Sequence, residues 1–235
     1  MALPVLNTAK YKTIVPSLGK EVEYRPYLVK EEKILMIALE SNDNKQIISA
    51  IKDVISSCVQ DDLKVNDLTM FDIEALFLKL RSKSVGETTD VKVKCTECDK
   101  EHKTSVKFDD IKMPVVKNMQ TTVKLTDDVG IILTYPKVKD IEKNDNGLDD
   151  SINSIMEVLI DCIHSIYDAD NVYSAQDTKR SELKDFVDSL NSDQFKKLTS
   201  FFESIPALKY DLMFKCEGCG HNNNIELSGI QNFFG

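Results

Sequence analysis

Two pairs of cysteines constrain this chain more than any other feature. Cys95 and Cys98 lie in VKVKCTECDK, and Cys216 and Cys219 lie in LMFKCEGCGH. Two residues separate the cysteines of each pair, which lets both thiolates point at a single ion. Runs of alternating apolar and polar residues flank each pair, so each is predicted at the tip of a β-hairpin. Each pair is therefore half of a tetrahedral metal site, a redox pair or a disulfide.

The absence of a secretion signal makes a disulfide the weakest of these three interpretations. No run of the 235 residues approaches 18 consecutive apolar positions, and the start, MALPVLNTAKYK, lacks a signal-peptide pattern. We therefore expect a protein of the cytosol or of a cytosol-derived assembly, where thiols stay reduced. The net charge of -9 argues against general attraction to nucleic acid or anionic lipid.

The remaining chain predicts β-hairpins and amphipathic helices in alternation. The predicted elements are, in order, a hairpin over 11–27, helices over 30–41, 45–60 and 68–87, strands over 90–95 and 102–108, a hairpin over 121–136, helices over 148–168, 181–190 and 192–205, and strands over 209–216 and 222–230. The helix over 68–87 is apolar on nearly all sides, which predicts a central, buried position. Ser181 and Ser192 are the predicted N-caps of the last two helices.

The two halves of the chain follow the same plan. YRPYLVKEEK (24–33) aligns with TYPKVKDIEK (134–143), IISAIKDVISSCV (47–59) with SINSIMEVLIDCI (151–163), and VKVKCTEC (91–98) with LMFKCEGC (212–219). We interpret this as an internal duplication, with coincidence between two amphipathic segments as the alternative. The predicted fold class is α+β with two related lobes, each with a β-hairpin, amphipathic helices and a C-x-x-C zinc-knuckle hairpin. The predicted domains are residues 1–115 and 116–235, sharing one core and one metal site.

A pseudo-two-fold relation between the halves would bring the two hairpin tips together. Cys95, Cys98, Cys216 and Cys219 would then form a Cys₄ site that suits a structural Zn²⁺. Gly220 follows the second pair and Asp99 the first, and both residues tolerate the tight turn that such a tip needs. The alternative is two separate sites, one formed by Cys95, Cys98 and His102 and the other by Cys216, Cys219 and His221.

The other candidate side chains have simpler explanations. A redox pair usually places its first cysteine at a helix N-terminus, whereas strands flank both pairs here. Cys58 and Cys162 fall in helical apolar stripes and are predicted to be core residues. His164 is predicted on a helix surface. The sequence contains no phosphate-binding, dinucleotide-binding, nucleophile-elbow or metalloprotease motif. We therefore expect no enzymatic activity.

Two stretches resemble a known family. PSLGKEVEYRPYLVKEEKILMIALES (16–41) and FDIEALFLKLRSKSVGE (71–87) resemble signature regions of the T4-like bacteriophage baseplate proteins, which are assigned to the baseplate hub or its assembly. The resemblance implies a role in tail assembly, other phage baseplate or hub proteins as partners, and no catalysis. It also implies a location in the host cytoplasm during assembly, or in the tail baseplate of the virion.

The sequence therefore predicts a phage tail protein that acts by protein–protein docking and holds a structural zinc. Arg25 with the cluster at 30–33, and the aromatic tail Phe233-Phe234, are candidate docking groups; ordinary helix-start charge and packing onto the protein's own core are the alternatives. Two other functions remain open, a thiol redox protein and a zinc-ribbon protein that binds nucleic acid. Nucleic-acid binding would use the lysines around the first hairpin, which are Lys92, Lys94, Lys100, Lys103 and Lys107.

Overall fold

The computed structural model describes residues 7–41, 43–112, 116, 118–143 and 152–233. Helices and short antiparallel sheets alternate along these residues, in agreement with the predicted mixture of separate α and β elements. The chain forms two compact units. The first takes the described residues within Met1–Val65, Phe71–Val115 and Ala207–Gly235, and the second takes those within Asn66–Met70 and Val116–Pro206.

The first unit begins with a hairpin and continues with helices, as predicted. These elements are β1 (Tyr11–Val15), β2 (Lys20–Tyr24), α1 (Val29–Glu40), α2 (Asn44–Cys58) and α3 (Met70–Ser84). β1 pairs antiparallel with β2, from Tyr11 opposite Tyr24 to Val15 opposite Lys20. Gly19 closes the hairpin turn with a φ of 59°, a conformation that glycine adopts without a steric cost.

Helix α3 lies at the centre of the first unit, which confirms the prediction for this segment. Its largest apolar side chains are at most 2% exposed, and they are Phe71, Ile73, Leu76, Phe77 and Leu80. Burial of each such side chain stabilises the fold by roughly 1.5–3 kcal/mol. The helix also buries Asp72, whose Oδ1 accepts the backbone N–H of Ser17 at 2.8 Å in the β1–β2 turn.

Two further hairpins pack their apolar sides into the same unit. They are β3 (Thr88–Lys94) with β4 (Glu101–Lys107), and β9 (Lys209–Lys215) with β10 (Asn222–Ser228). Their inward side chains, which include Val91, Val93, Val106, Leu212 and Leu227, form one buried cluster with Leu78 of α3 and with Phe233, which follows β10. Phe233 is 1% exposed, so this aromatic packs onto the protein's own core; Phe234 lies outside the described residues.

The second unit combines one four-stranded antiparallel sheet with four helices among its described residues. Its elements are β5 (Gln120–Lys124), β6 (Gly130–Thr134), α4 (Val138–Lys143), α5 (Ile152–Cys162), β7 (Ile163–Tyr167), β8 (Val172–Ser174), α6 (Arg180–Asp188) and α7 (Ser192–Glu203). The strand order is β5-β6-β7-β8. Its core includes Ile131 and Leu133 of β6, Leu159 of α5 and Leu198 of α7.

The predicted helix over 148–168 is wrong beyond Cys162. Strand β7 begins at the next residue and pairs with β6, with Ile166 opposite Ile131. The apolar positions Ile163 and Ile166 fit either a helix or a strand, but the segment is rich in β-branched and aromatic residues, and pairing within the sheet decides its conformation. His164 consequently lies exposed on a strand and not on a helix surface. Residues 148–151 of the predicted helix lie outside the described residues.

Both predicted N-caps of the last two helices are also wrong. The cap of α6 is Lys179, and that of α7 is Asn191. The Asn191 side chain accepts the Gln194 backbone N–H at 2.9 Å, while the Gln194 side chain accepts the Asn191 N–H at 3.0 Å. This reciprocal pair is a capping box displaced by one residue from the predicted serine.

The two compact units differ from the division into residues 1–115 and 116–235. The division between 115 and 116 is one boundary of the first unit, but the described residues from 207 to 233 also belong to that unit. Lys112 and Lys209 form an isolated antiparallel bridge, with the Lys112 N–H donating to the Lys209 carbonyl at 2.9 Å. Both C-x-x-C hairpins therefore lie within one unit. The internal duplication stays a prediction.

Candidate metal centre

The two C-x-x-C tips, which we call the first and second knuckle (residues 95–100 and 216–221), have matching backbone turns. In the first, the Cys95 carbonyl accepts the Asp99 N–H at 3.0 Å, and the Cys95 N–H donates to the Lys100 carbonyl at 3.0 Å. In the second, the Cys216 carbonyl accepts the Gly220 N–H at 2.9 Å, and the Cys216 N–H donates to the His221 carbonyl at 2.8 Å. The hairpin tips predicted from the alternating patterns are confirmed.

Each turn also requires a left-handed residue directly after its second cysteine. Asp99 has a φ of 57° and Gly220 a φ of 77°, the two positions where the sequence predicted a tight turn. Glycine takes this conformation freely, and aspartate is among the few other residues that tolerate it.

The structure brings all four knuckle cysteines together. Their sulfur atoms lie within 4.8 Å of one another. Cys95 Sγ lies 3.7 Å from Cys219 Sγ, and Cys98 Sγ lies 3.6 Å from Cys216 Sγ. In a tetrahedral Zn–S₄ site with Zn–S bonds of about 2.3 Å, the sulfur atoms are about 3.8 Å apart. The residues present therefore fit one zinc ion without large rearrangement.

The backbone of each knuckle directs N–H groups at the sulfur atoms. The Gly218 N–H donates to Cys216 Sγ at 3.3 Å. The backbone N–H groups of Cys219 and Gly218 lower the pKa of the Cys216 thiol to about 5 against the effect of burial. The Lys100 N–H favours the Cys98 thiolate, but hydrogen bonds shared with neighbouring thiols outweigh it and raise the pKa of Cys98 to about 12. Four adjacent thiolates need a cation to offset their mutual repulsion.

Two side chains outside the C-x-x-C pairs contact the sulfur atoms. His102 Nε2 lies 3.2 Å from Cys216 Sγ, and Asn223 Nδ2 donates to Cys95 Sγ at 3.4 Å. From the sequence, His102 was expected only as an alternative ligand beside Cys95 and Cys98, and Asn223 was not predicted. The spacing held a signal for both, because each residue follows the first cysteine of its own knuckle by the same interval.

The placement of the histidines favours one shared site over two separate ones. His102 faces a cysteine of the opposite knuckle, and its ring packs against Phe214 with centroids 4.9 Å apart. The His221 side chain is exposed. Four cysteine sulfurs already complete a tetrahedral set, so neither histidine is needed as a ligand.

Comparison with known proteins identifies the family. Residues 8–235, nearly the whole chain, match the family described as T4 bacteriophage base plate protein. The chain belongs to this family. The resemblance carried by residues 16–41 and 71–87 is thereby confirmed and extends through the second half of this base plate protein. Comparisons with curated proteins and with solved structures give no match.

Three of the five lysines around the first knuckle of this base plate protein lie near acidic side chains. Lys103 lies 2.8 Å from Asp90, Lys100 lies 3.9 Å from Glu217, and Lys94 lies 4.0 Å from Glu101. Acidic partners at these distances offset the positive charge that a phosphate backbone would need. These contacts therefore disfavour the hypothesis that the protein is a nucleic-acid-binding zinc ribbon.

Arg25 and Glu31, which belong to one of the candidate docking groups, pair with each other within the protein. Arg25 Nη2 lies 2.9 Å from Glu31 Oε1, and the Glu31 side chain is only 2% exposed. Glu31 also accepts the backbone N–H of Leu28 at 2.8 Å, at the start of α1. This pair orders the entry into the helix and offers little to a partner.

Exposed apolar side chains on α1 form a different surface, which we call the α1 face and define as Val29, Met36 and Ile37. These side chains are 78%, 58% and 63% exposed, respectively. Positions 29, 33, 36 and 37 share one side of a helix, because positions 33, 36 and 37 follow position 29 by four, seven and eight residues. Exposed apolar groups on one side of a helix of a base plate protein mark a candidate interaction surface.

The remaining cysteines are core residues, as predicted. Cys58 is 0% exposed at the end of α2, and Cys162 is 1% exposed at the end of α5. Burial raises the pKa of the Cys58 thiol to about 11 and shifts that of Cys162 upwards as well. Within the described residues, no helix is long and apolar enough to cross a bilayer.

Proposed function

We propose that this protein is a non-enzymatic structural component that acts in the assembly or structure of the phage baseplate hub. Its location would be the host cytoplasm during assembly and the tail baseplate afterwards. Membership of the base plate protein family over residues 8–235 is the observation that carries this proposal. The mechanism is docking of a rigid protein surface onto another baseplate protein.

The α1 face is the proposed docking surface. It combines Val29, Met36 and Ile37 with the exposed cation Lys33 on the same side of the helix. We infer a partner with an apolar surface that carries acidic groups. A different baseplate protein fits this better than a second copy, because two chains with a net charge of -9 repel each other.

A structural Zn²⁺ held by Cys95, Cys98, Cys216 and Cys219 is the second part of the proposal. The fit of the four sulfur atoms to a tetrahedral site supports it. Bound zinc would join hairpins whose cysteines are 118 and 124 positions apart in the chain. Four thiolates leave no open position for a reacting water, so the role of the ion would be to rigidify.

We also infer that the two halves arose by duplication. In the first half, the chain leaving Cys58 bridges Val59 to Tyr24 of β2. In the second half, the chain leaving Cys162 pairs Ile163 with Leu133 of β6. In both cases a helix that ends in a buried cysteine returns to the second strand of the preceding hairpin. A crystal structure in which residues 11–24 and 48–59 fail to superpose on 121–134 and 152–163 would contradict the duplication.

Genetic complementation tests the proposed function. A phage lacking this gene should accumulate incomplete baseplates, and the wild-type protein should restore complete ones, as seen by electron microscopy of sedimented particles. A deletion phage that still assembles complete baseplates would refute the role in assembly.

The docking surface is tested with the double variant Val29→Asp, Ile37→Gln. Aspartate suits the N-terminal end of the helix dipole and glutamine is a good helix former, so the fold should be retained within about 0.5 kcal/mol. We expect complementation to fail, whereas the control Val85→Asp, at an apolar side chain 55% exposed outside α1, should complement. Normal assembly by the double variant would exclude the α1 face. If the wild-type protein sediments as a dimer and this variant sediments as a monomer, a second copy of the chain occupies the α1 face. That result would contradict the proposed partner.

A further inference from the structure

His102 and Asn223 occupy equivalent positions in the two C-x-x-C hairpins. Each lies on the strand that returns from its knuckle, His102 on β4 and Asn223 on β10. Each follows the first cysteine of its own knuckle, Cys95 or Cys216, at the same interval in the sequence. His102 and Asn223 therefore match both in sequence spacing and in their position in the hairpin.

Each of these side chains reaches across to the opposite knuckle. His102 Nε2 lies 3.2 Å from Cys216 Sγ, and Asn223 Nδ2 lies 3.4 Å from Cys95 Sγ. The sulfur contacts are reciprocal in the same sense, with Cys95 beside Cys219 and Cys98 beside Cys216. Each hairpin thus makes the same contacts to the other, as expected for two hairpins related by a local two-fold axis.

The surroundings of both residues hold them in these orientations. The Asn223 side chain is 4% exposed, and its Oδ1 accepts the backbone N–H of Thr96 at 2.9 Å and the Thr96 hydroxyl at 3.0 Å. Because the oxygen is engaged by two donors, the amide NH₂ faces the other way, where it donates to Cys95 Sγ and to the His221 carbonyl at 3.3 Å. The His102 ring packs against the Phe214 ring in a tilted arrangement.

We propose that His102 and Asn223 are a matched pair of positioning residues that orient the first cysteine thiolate of the opposite knuckle for one shared Zn²⁺. This inference rests on the proposed zinc site. A thiolate has no proton to give, so His102 must carry a proton on Nε2 and donate it to Cys216, as Asn223 donates from its amide to Cys95. Each hydrogen bond stabilises the charged sulfur and ties one hairpin to the other.

The arrangement has a consequence for metal retention. Loss of one partner that hydrogen-bonds to a metal ligand typically weakens metal affinity by 10- to 100-fold. Since each donor belongs to the opposite hairpin, removing it loosens both the thiolate and the contact between knuckles. We therefore expect faster zinc release from variants at either position, with the cysteines themselves unchanged.

The experiment compares His102→Phe and Asn223→Leu with matched controls of the same residue type. Phenylalanine keeps an aromatic ring against Phe214 and removes the N–H donor. The controls are His221→Phe and Asn224→Leu, at exposed side chains next to the site. Zinc transfer to the chromogenic chelator 4-(2-pyridylazo)resorcinol gives the release rate, and the visible spectrum of the Co²⁺-substituted protein reports the geometry of the sulfur ligands.

In both variants we expect zinc to transfer to the chelator roughly 10- to 100-fold faster than in the wild type. The Co²⁺ spectrum of both variants should shift, and both controls should behave like the wild type. His102→Gln should restore slow release, since its amide again offers an N–H donor. The thermal unfolding of the metal-free proteins separates this role from a general loss of stability. Metal-free His102→Phe should unfold at nearly the same temperature as the metal-free wild type, and the larger difference should appear between the zinc-loaded proteins. A variant that changes only the stability of the metal-free protein would overturn the proposal.

Two failures are distinguishable. If the wild-type protein binds one Zn²⁺ per chain and both variants release it at the wild-type rate, the positioning role is wrong and the zinc site stands. If the wild-type protein binds no Zn²⁺ by native mass spectrometry, the zinc proposal fails, and the positioning role with it.

Discussion

The carboxylate of Glu74 accepts the backbone N–H of Leu208 at 3.2 Å through one oxygen and that of Ile230 at 3.3 Å through the other. These donors follow Glu74 by 134 and 156 positions, and the Glu74 side chain lies buried in α3. One side chain of the central helix thus holds both ends of the C-terminal hairpin. The same hairpin carries the second knuckle, so this contact helps to place Cys216 and Cys219.

Replacing Glu74 by glutamine tests this anchor. The amide keeps one acceptor oxygen but turns an NH₂ group towards the other backbone N–H, which loses its partner. We expect a loss of roughly 1–3 kcal/mol in the free energy of unfolding, measured by urea denaturation at neutral pH. The control Glu40→Gln, at an exposed side chain of α1, should stay within about 0.5 kcal/mol. Equal stability of both variants would show that Glu74 does not anchor the hairpin.

The Arg25–Glu31 pair predicts a specific dependence of stability on pH. Burial opposes ionisation of Glu31, but hydrogen bonds from Arg25 and from the Leu28 N–H outweigh it and hold the pKa of this carboxyl below its ordinary value. The unfolded chain therefore binds this proton more readily than the folded one. The stabilisation by Glu31 should be complete above its unfolded pKa of about 4.3 and should be lost as the pH falls through the lower folded value.

The corresponding measurement is urea unfolding between neutral and strongly acidic pH. Glu31→Gln should lower the free energy of unfolding by about 2–4 kcal/mol at neutral pH, because Arg25 loses its charged partner. The difference from wild type should shrink in acid. Glu32→Gln, one residue along the helix and partly exposed, serves as the control. A difference between Glu31→Gln and wild type that is constant with pH would contradict the assignment.

The left-handed residues of the knuckles predict opposite effects of two substitutions. Gly220→Val places a β-branched side chain at a φ of 77°, which should cost roughly 1–2 kcal/mol and weaken metal retention. Asp99→Gly relieves the smaller strain at a φ of 57° and should be neutral or slightly stabilising. Thermal unfolding of the zinc-loaded proteins checks both. Stabilisation by Gly220→Val would show that the second turn does not need this conformation.

Thiol titration separates the exposed knuckle cysteines from the core cysteines. After chelator treatment, we expect Cys98 and Cys219, the exposed knuckle thiols, to react first with Ellman's reagent in the folded protein. Cys58 and Cys162 should react only after unfolding, since both are buried and burial raises the pKa of each thiol. Cys162→Ala should leave the folded count unchanged and reduce the unfolded count by one. Rapid reaction of all six cysteines in the folded protein would contradict this division.

Local patterns predicted most elements because their causes are local. The turn at Gly19, the alternation around both knuckles and the apolar stripe of α2 each depend on residues within about one hairpin or helix of one another. The end of α5 was mispredicted because Ile163 and Ile166 suit a helix and a strand equally, and only pairing with β6 selects the strand. The cap at Asn191 was missed for a smaller reason, a shift of one residue in a polar run.

The sequence by itself determined that this chain carries two C-x-x-C turns on β-hairpins, with a left-handed residue after each, because spacing and turn chemistry act over a few neighbouring residues. The tertiary structure alone decided that the two turns meet, that His102 and Asn223 each face the opposite knuckle, and that residues 207–233 join the first unit. These contacts join residues more than a hundred positions apart. They depend on packing around α3 and on closing a long loop, which no local pattern encodes.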